Sequence, residues 1–155
     1  MKRTVIDDLI SNLKRIKPET ILQRSVPSSS LEIAADINRS QLQDGQLSNG
    51  QELGNYTKAT ESYNNVRQTK VSSSERIKFY DSGKFHKSIK AKITKDGLLN
   101  LTSGSNKVEK IREYLADKGY GGDVLGLTDE NLENWFETFV QPYFVKGIQD
   151  RLLTQ

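Results

Sequence analysis

The sequence predicts an α+β domain in which a small antiparallel sheet, a hairpin around Asp96-Gly97, is packed by N-terminal and C-terminal helices. Three observations predict it. Apolar residues recur at helical steps near both ends of the chain, at Val5, Ile6, Leu9, Ile10, Leu13 and Ile16 and again from Leu132 to Val140. Between them Ile89-Lys90-Ala91-Lys92-Ile93 alternates with period two, followed by an Asp-Gly turn and a return run Leu98 to Thr102. At 155 residues the chain has the length of one domain, 1–155.

Taken in order, the first element is an amphipathic helix from Thr4 to Lys17, ended or briefly continued at Pro18 through Ile21 and Leu22. Pro27 and the following serines break the chain. Ser29 with Glu32 has capping-box spacing for a second helix to about Gln43, burying Leu31, Ala34, Ala35, Ile37 and Leu42. Asp44-Gly45, Asn49-Gly50, Gly54 and Asn55 then predict a turning connection, and polar residues 56–75 extend it with Tyr56, Tyr63 and Val66 as its anchors. Residues 44–75 are thus expected to form a long flexible loop, with a marginal helix as the alternative within 56–75.

Ile77, Phe79 and Tyr80 are a further strand candidate, Asp81-Ser82-Gly83 turns the chain, and Lys84 to Lys87 form a short helical link into the hairpin. Asn106, with Glu109 three residues on, is placed to cap a helix through Lys118 that buries Val108, Ile111, Tyr114 and Leu115 and ends at Gly119. Thr128 caps the last helix, with Asp129 and Glu130 in its first turn, where the macrodipole favours carboxylates. Its apolar face is Leu132, Trp135, Phe136, Phe139 and Val140. Pro142 should kink it and redirect Tyr143 and Phe144.

Composition narrows the chemistry. Without cysteine there is no disulfide, thiol catalysis or thiolate metal site, which fits a chain made in a reducing cytoplasm. No apolar run approaches a membrane span or a signal peptide. The one histidine, His86, lies in the turn before the hairpin and is expected at a surface or interface, not in a triad with Asp81 and Ser82. Gly104-Ser105-Asn106-Lys107 lacks the glycine and Gly-Lys-Ser/Thr ending of a phosphate loop and is read as a turn with a cap. Ser11 and Lys14 fall on the polar side of a helix, and Asp129, Glu130, Glu133 and Glu137 are a solvated or partner-facing side, so no catalytic residue, metal or cofactor is expected.

Charge points instead to partners. Residues 64–95 hold nine Lys or Arg against Glu75 and Asp81, while residues 96–155 hold six basic against ten acidic side chains. Opposed lobes of this kind suit head-to-tail packing of identical subunits. Lys84, Lys87, Lys90, Lys92 and Lys95 make a basic strip beside Tyr80, Phe85 and His86, either an electrostatic footprint for DNA or protein or a guard on an edge strand. Trp135, Phe136, Phe139, Tyr143 and Phe144 crowd five aromatics into ten residues, with Tyr143 and Phe144, beyond the kink, the candidate assembly anchors.

Phe79-Tyr80-Asp81-Ser82-Gly83-Lys84-Phe85-His86-Lys87-Ser88-Ile89 resembles the Asp-(Ser/Thr)-Gly-x-(Leu/Phe)-x-x-Ser-(Ile/Phe) signature of phage virion-morphogenesis and tail-completion proteins, the Mu-type and lambdoid neck and tail-end group. Asn38 through Tyr56 looks like the helix and Asp-Gly-x-Pro-Trp region of the same proteins, here without the proline and tryptophan. Leu125-Gly126-Leu127-Thr128-Asp129-Glu130-Asn131-Leu132 is similar to a closing motif of structural proteins from Bacteroidota phages of the crAss-like kind. The resemblance implies a non-enzymatic virion protein of the head–tail connector, neck or tail-completion complex. It further implies a homo-oligomeric ring around the DNA channel, in contact with portal, neck or tail proteins and non-specifically with DNA, with no membrane, made in the host cytoplasm. A small DNA-binding protein that uses the hairpin 84–95 without sequence specificity is the competing expectation.

Overall fold

The computed structural model describes residues 5–66, 71–80 and 82–153. Its order is α1 (Val5–Arg15), α2 (Pro18–Ser25), α3 (Ser28–Gln43), α4 (Lys58–Val66), α5 (Lys84–Ser88), β1 (Ile89–Ile93), β2 (Leu99–Ser103), α6 (Lys107–Asp117), α7 (Asp129–Trp135), a π-turn (Phe136–Val140) and α8 (Gln141–Leu153). The fold is α+β, with the N- and C-terminal helices packed around a two-stranded antiparallel sheet.

The strands pair in the register Ile89 with Ser103 through Ile93 with Leu99. The hairpin loop is longer than a two-residue Asp-Gly turn. Gly97 N–H donates to Thr94 O and Thr94 N–H to Leu98 O, so Lys95 and Asp96 hold the turn centre and Gly97, at φ 78°, takes the left-handed position after it. That is the three-residue loop with a bulge glycine, which tolerates a bulkier Lys-Asp centre. The third strand expected at Ile77–Tyr80 does not form. This stretch is irregular, joined to Asn55 by one isolated bridge at Arg76, and Phe79 adopts a positive φ of 50° that no strand accommodates. Asp81 of the turn and of the signature lies outside the described residues, as does the side chain of Val66.

α3 crosses the inner face of β1 and organises the core. Ala34, Ala35 and Leu42 are fully buried among Phe85, Ile89, Val108, Leu115, Val124, Trp135 and Val140. Leu31 and Ile37 are only partly buried, and Asn38 and Gln41 occupy the buried stripe instead. The expected capping box is absent. The helix starts two residues earlier, with Pro27 in the N-cap position and no side chain capping it. Its far end is a Schellman turn, with Gly45 N–H donating to Leu42 O and Gln46 N–H to Gln41 O. α6 ends the same way at Gly119, but Ser105 rather than Asn106 bonds its first turn, accepting from Lys107 N–H at 3.2 Å.

The stretch expected as a loop at 44–75 divides in three. Residues 44–56 carry Leu47 and Leu53, both core residues that the polar composition concealed, and are tied to the 120–123 loop by Ser48 N–H to Asp123 O and Gly54 N–H to Tyr120 Oη. Lys58–Val66 is helix α4, and 71–80 runs back alongside, its Lys78 N–H donating to Tyr56 Oη.

The C-terminal helix departs most from expectation. Thr128 caps it, its Oγ1 accepting from Asn131 N–H. Of the predicted apolar face only Trp135 and Val140 are buried; Phe139 is half-buried, while Leu132 and Phe136 are 40% and 37% exposed. The cause is the π-turn, in which Gln141 N–H reaches back five residues to Phe136 O. Five-residue spacing brings Trp135 and Val140 to one side and rotates the α-spaced positions out. The widened turn also relieves the clash that the Pro142 ring would make with the carbonyl four residues earlier, so the chain stays helical through the proline.

Candidate functional site

α5 and β1 position the lysines. Gly83, at φ 73°, turns the chain into α5, whose two apolar-side residues Phe85 and His86 are buried while Lys84 and Lys87 point to solvent. In β1 the alternation places Ile89 inward and Lys90 and Lys92 outward, and Lys95 stands at the hairpin tip. All five lysines are exposed, but they do not form one site. Lys84 and Lys90 share a cleft of about 460 Å³ with Ser88, Thr102, Gly104 and Ser105, where Thr102 is the cross-strand partner of Lys90. Two cations with hydroxyls beside them can hold an anion such as a phosphate. Lys87, Lys92 and Lys95 lie outside that cleft.

His86, expected at a surface, is 3% exposed. Its Nε2 lies 2.9 Å from Lys78 O and so must donate, leaving Nδ1 a buried acceptor without a partner. Its ring meets Tyr80 and Phe85 edge to face. Burial pushes its pKa below the usual histidine value, the hydrogen bond to Lys78 opposes this, and the nearby Arg39 charge adds to it. The imidazole is therefore a buried packing element whose surroundings favour its neutral form. The residue that holds this corner is Arg39, which no sequence pattern singles out. Its Nε donates to His86 O at 3.0 Å and its Nη2 to Ile89 O at 2.7 Å, while Nη1 pairs with Glu32 and Asp36. α3 thereby clamps the α5–β1 junction that presents the lysines.

A second polar clamp fixes the loop before α7. Asn38 Nδ2 donates to Val124 O and Gly126 O, and Gln41 Oε1 accepts from Thr128 N–H and Asn131 Nδ2. Both residues continue the Ala34/Ala35 stripe at steps of three and four, and polar groups on an apolar stripe were the signal that could have found them. At the other end of α3, Trp135 Nε1 donates to Ser30 O and Ser30 Oγ to Phe139 O inside the π-turn.

This arrangement leaves an open apolar groove of about 930 Å³ between β2 and α7, with Leu98, Leu99, Leu101, Leu125, Leu132 and Phe136 in its walls and Asp129 and Glu133 on its rim. The candidate anchors stand elsewhere, on α8: Tyr143 is 44% exposed, and Phe144 is half-buried outside the central core cluster. α8 packs on α2 at Gly147, where any side chain would run into Ile21 and Ser25. α1 rests against α8 yet buries no residue; Val5 and Ile6 are 77% and 67% exposed, and Leu9, Ile10 and Leu13 are exposed too.

Among the described residues no three His, Asp or Glu side chains converge as metal ligands, and no helix is long and apolar enough to cross a membrane. No family model, curated protein or solved structure matches this chain.

Proposed function

We propose that this chain is a non-enzymatic structural subunit of a tailed-phage particle, part of a head–tail connector, neck ring or tail-completion complex, working by self-assembly around the DNA channel. The observation that carries the assembly part of this reading is α1. A soluble monomer gains nothing from a helix with five large aliphatic residues on one face and none buried, whereas a subunit completed by its neighbours needs such surfaces. The motif similarity of residues 79–89 supplies the phage assignment. On this reading the protein is made in the host cytoplasm and ends in the virion, with portal, neck or tail proteins as its partners. Sedimentation of the purified chain across a wide concentration range, alone and with portal and tail proteins, tests it. Closed oligomers of fixed size that bind those proteins are expected; a monomer that binds none of them would refute the proposal.

The cleft at Lys84 and Lys90 favours a second reading, non-specific DNA contact through the hairpin 84–95. Changing both lysines to glutamine should then weaken duplex binding equally for all sequences and flatten its salt dependence by about one unit of slope for each phosphate no longer neutralised. Sequence-selective binding would make a dedicated DNA-binding protein the better reading, and no binding at all would remove DNA from the account.

A further inference from the structure

We propose that α1 of one copy seats in the apolar groove between β2 and α7 of a second copy, a head-to-tail contact that each subunit both gives and receives. This rests on the assembly reading above and names the two surfaces that would carry it. The observations are of three kinds: apolar matching, length and charge.

The helix stripe Val5, Ile6, Leu9, Ile10 and Leu13 is exposed, and so are Leu98, Leu132 and Phe136 along the groove, at 65%, 40% and 37%. One chain thus carries an uncovered apolar ridge and an uncovered apolar furrow. Joining them removes both from water, the main source of association free energy.

The lengths agree. Val5 to Leu13 covers eight helical rises, about 12 Å. One groove wall, Leu98 to Leu101, runs about 10 Å as extended chain, and the other, Asp129 to Phe136, about 10 Å as helix. The seam therefore fits the furrow along its whole length without overhang large enough to need a further element.

Charge sets the direction. The last turn of α1 ends in Lys14 and Arg15, both exposed; among the charged residues lining the groove Arg112 is paired with Asp123, while Asp129 and Glu133 are exposed. Rim pairs of this kind contribute little affinity but select register and polarity. Because ridge and furrow are different surfaces, the contact is heterologous, and repetition closes a ring when the rotation between copies permits it. In its own chain α1 lies along α8, so the seat is left for a neighbour.

The test uses full-length chain in two complementary variants, with circular dichroism to check folding. Ile6→Asp with Ile10→Asp spoils the ridge and keeps the furrow; Leu132→Glu spoils the furrow and keeps the ridge. Each alone should weaken self-association at least about 100-fold, and an equimolar mixture should form a dimer of one copy of each, since one good contact remains. Leu98→Ser, at an exposed turn position, replaces Leu132→Glu should that variant fail to fold. A furrow variant that assembles like the parent, or a mixture that stays monomeric, overturns this inference and leaves the assembly reading standing. A parent chain that is monomeric throughout overturns both.

Discussion

α1 and α3 begin from the same kind of sequence and end in opposite situations. Both show aliphatic residues at steps of three and four. α3 is used on nearly its whole inner face, even where that face is polar, because Asn38 and Gln41 find backbone partners in the 124–128 loop. α1 has the cleaner apolar stripe and buries none of it. Periodicity therefore says that a helix has a face to cover, and it does not say that the cover belongs to the same chain. The polar helix became the organiser because Asn38 Nδ2 and both ends of the Gln41 amide are bonded to the 124–131 segment, which fixes one geometry even though Asn38 Oδ1 is left buried without a hydrogen-bond partner.

If α3 is the organiser, the largest loss should come from the residue locking its N-terminal end to the π-turn. Trp135→Ala removes a fully buried ring and its hydrogen bond to Ser30 O, and about 3–5 kcal/mol of stability should go with it, read as a lowered urea midpoint. A loss under about 1 kcal/mol would show that the C-terminal helix is held by something other than α3.

Arg39→Met keeps the stem and removes the clamp on His86 O and Ile89 O, leaving two carbonyls without their charged donor. About 2–3 kcal/mol is expected. Hydrogen exchange should also quicken in β1 before it quickens in α6, which distinguishes a local clamp from a general loss of stability.

A smaller effect should follow acidification. His86 has a folded pKa lowered by burial, so the unfolded chain binds its proton more readily, and stability should be full above the ordinary histidine value near 6.5 and fall as pH drops from there toward the folded value. It is the chain's single histidine, so a urea midpoint that is flat between about pH 7 and 5.5 would count against the buried, half-partnered ring.

The smallest effect belongs to α1. Val5→Ser with Ile6→Ser should change the stability of the isolated monomer by no more than about 0.5 kcal/mol, because both side chains are already in water. A loss of about 2 kcal/mol or more in a dilute, monomeric sample would mean that the apolar face of α1 is covered within its own chain and that its contrast with α3 is false.

Local rules determined much of this protein from the sequence alone. The α+β class, the strand positions 89–93, the cap at Thr128, the glycine stop at Gly119 and the outward aim of Lys90 and Lys92 all follow from spacing, capping and alternation, which act within a few residues. What tertiary structure decided was which surfaces meet. It placed His86 inside, divided the five lysines between a cleft and open surface, buried Leu47 and Leu53 within a polar stretch, and turned Leu132 and Phe136 outward through a π-turn. These outcomes depend on partners far along the chain, such as Ser30 with Phe139 at a separation of 109, and no local pattern encodes a choice among distant partners that are all apolar or all able to hydrogen-bond.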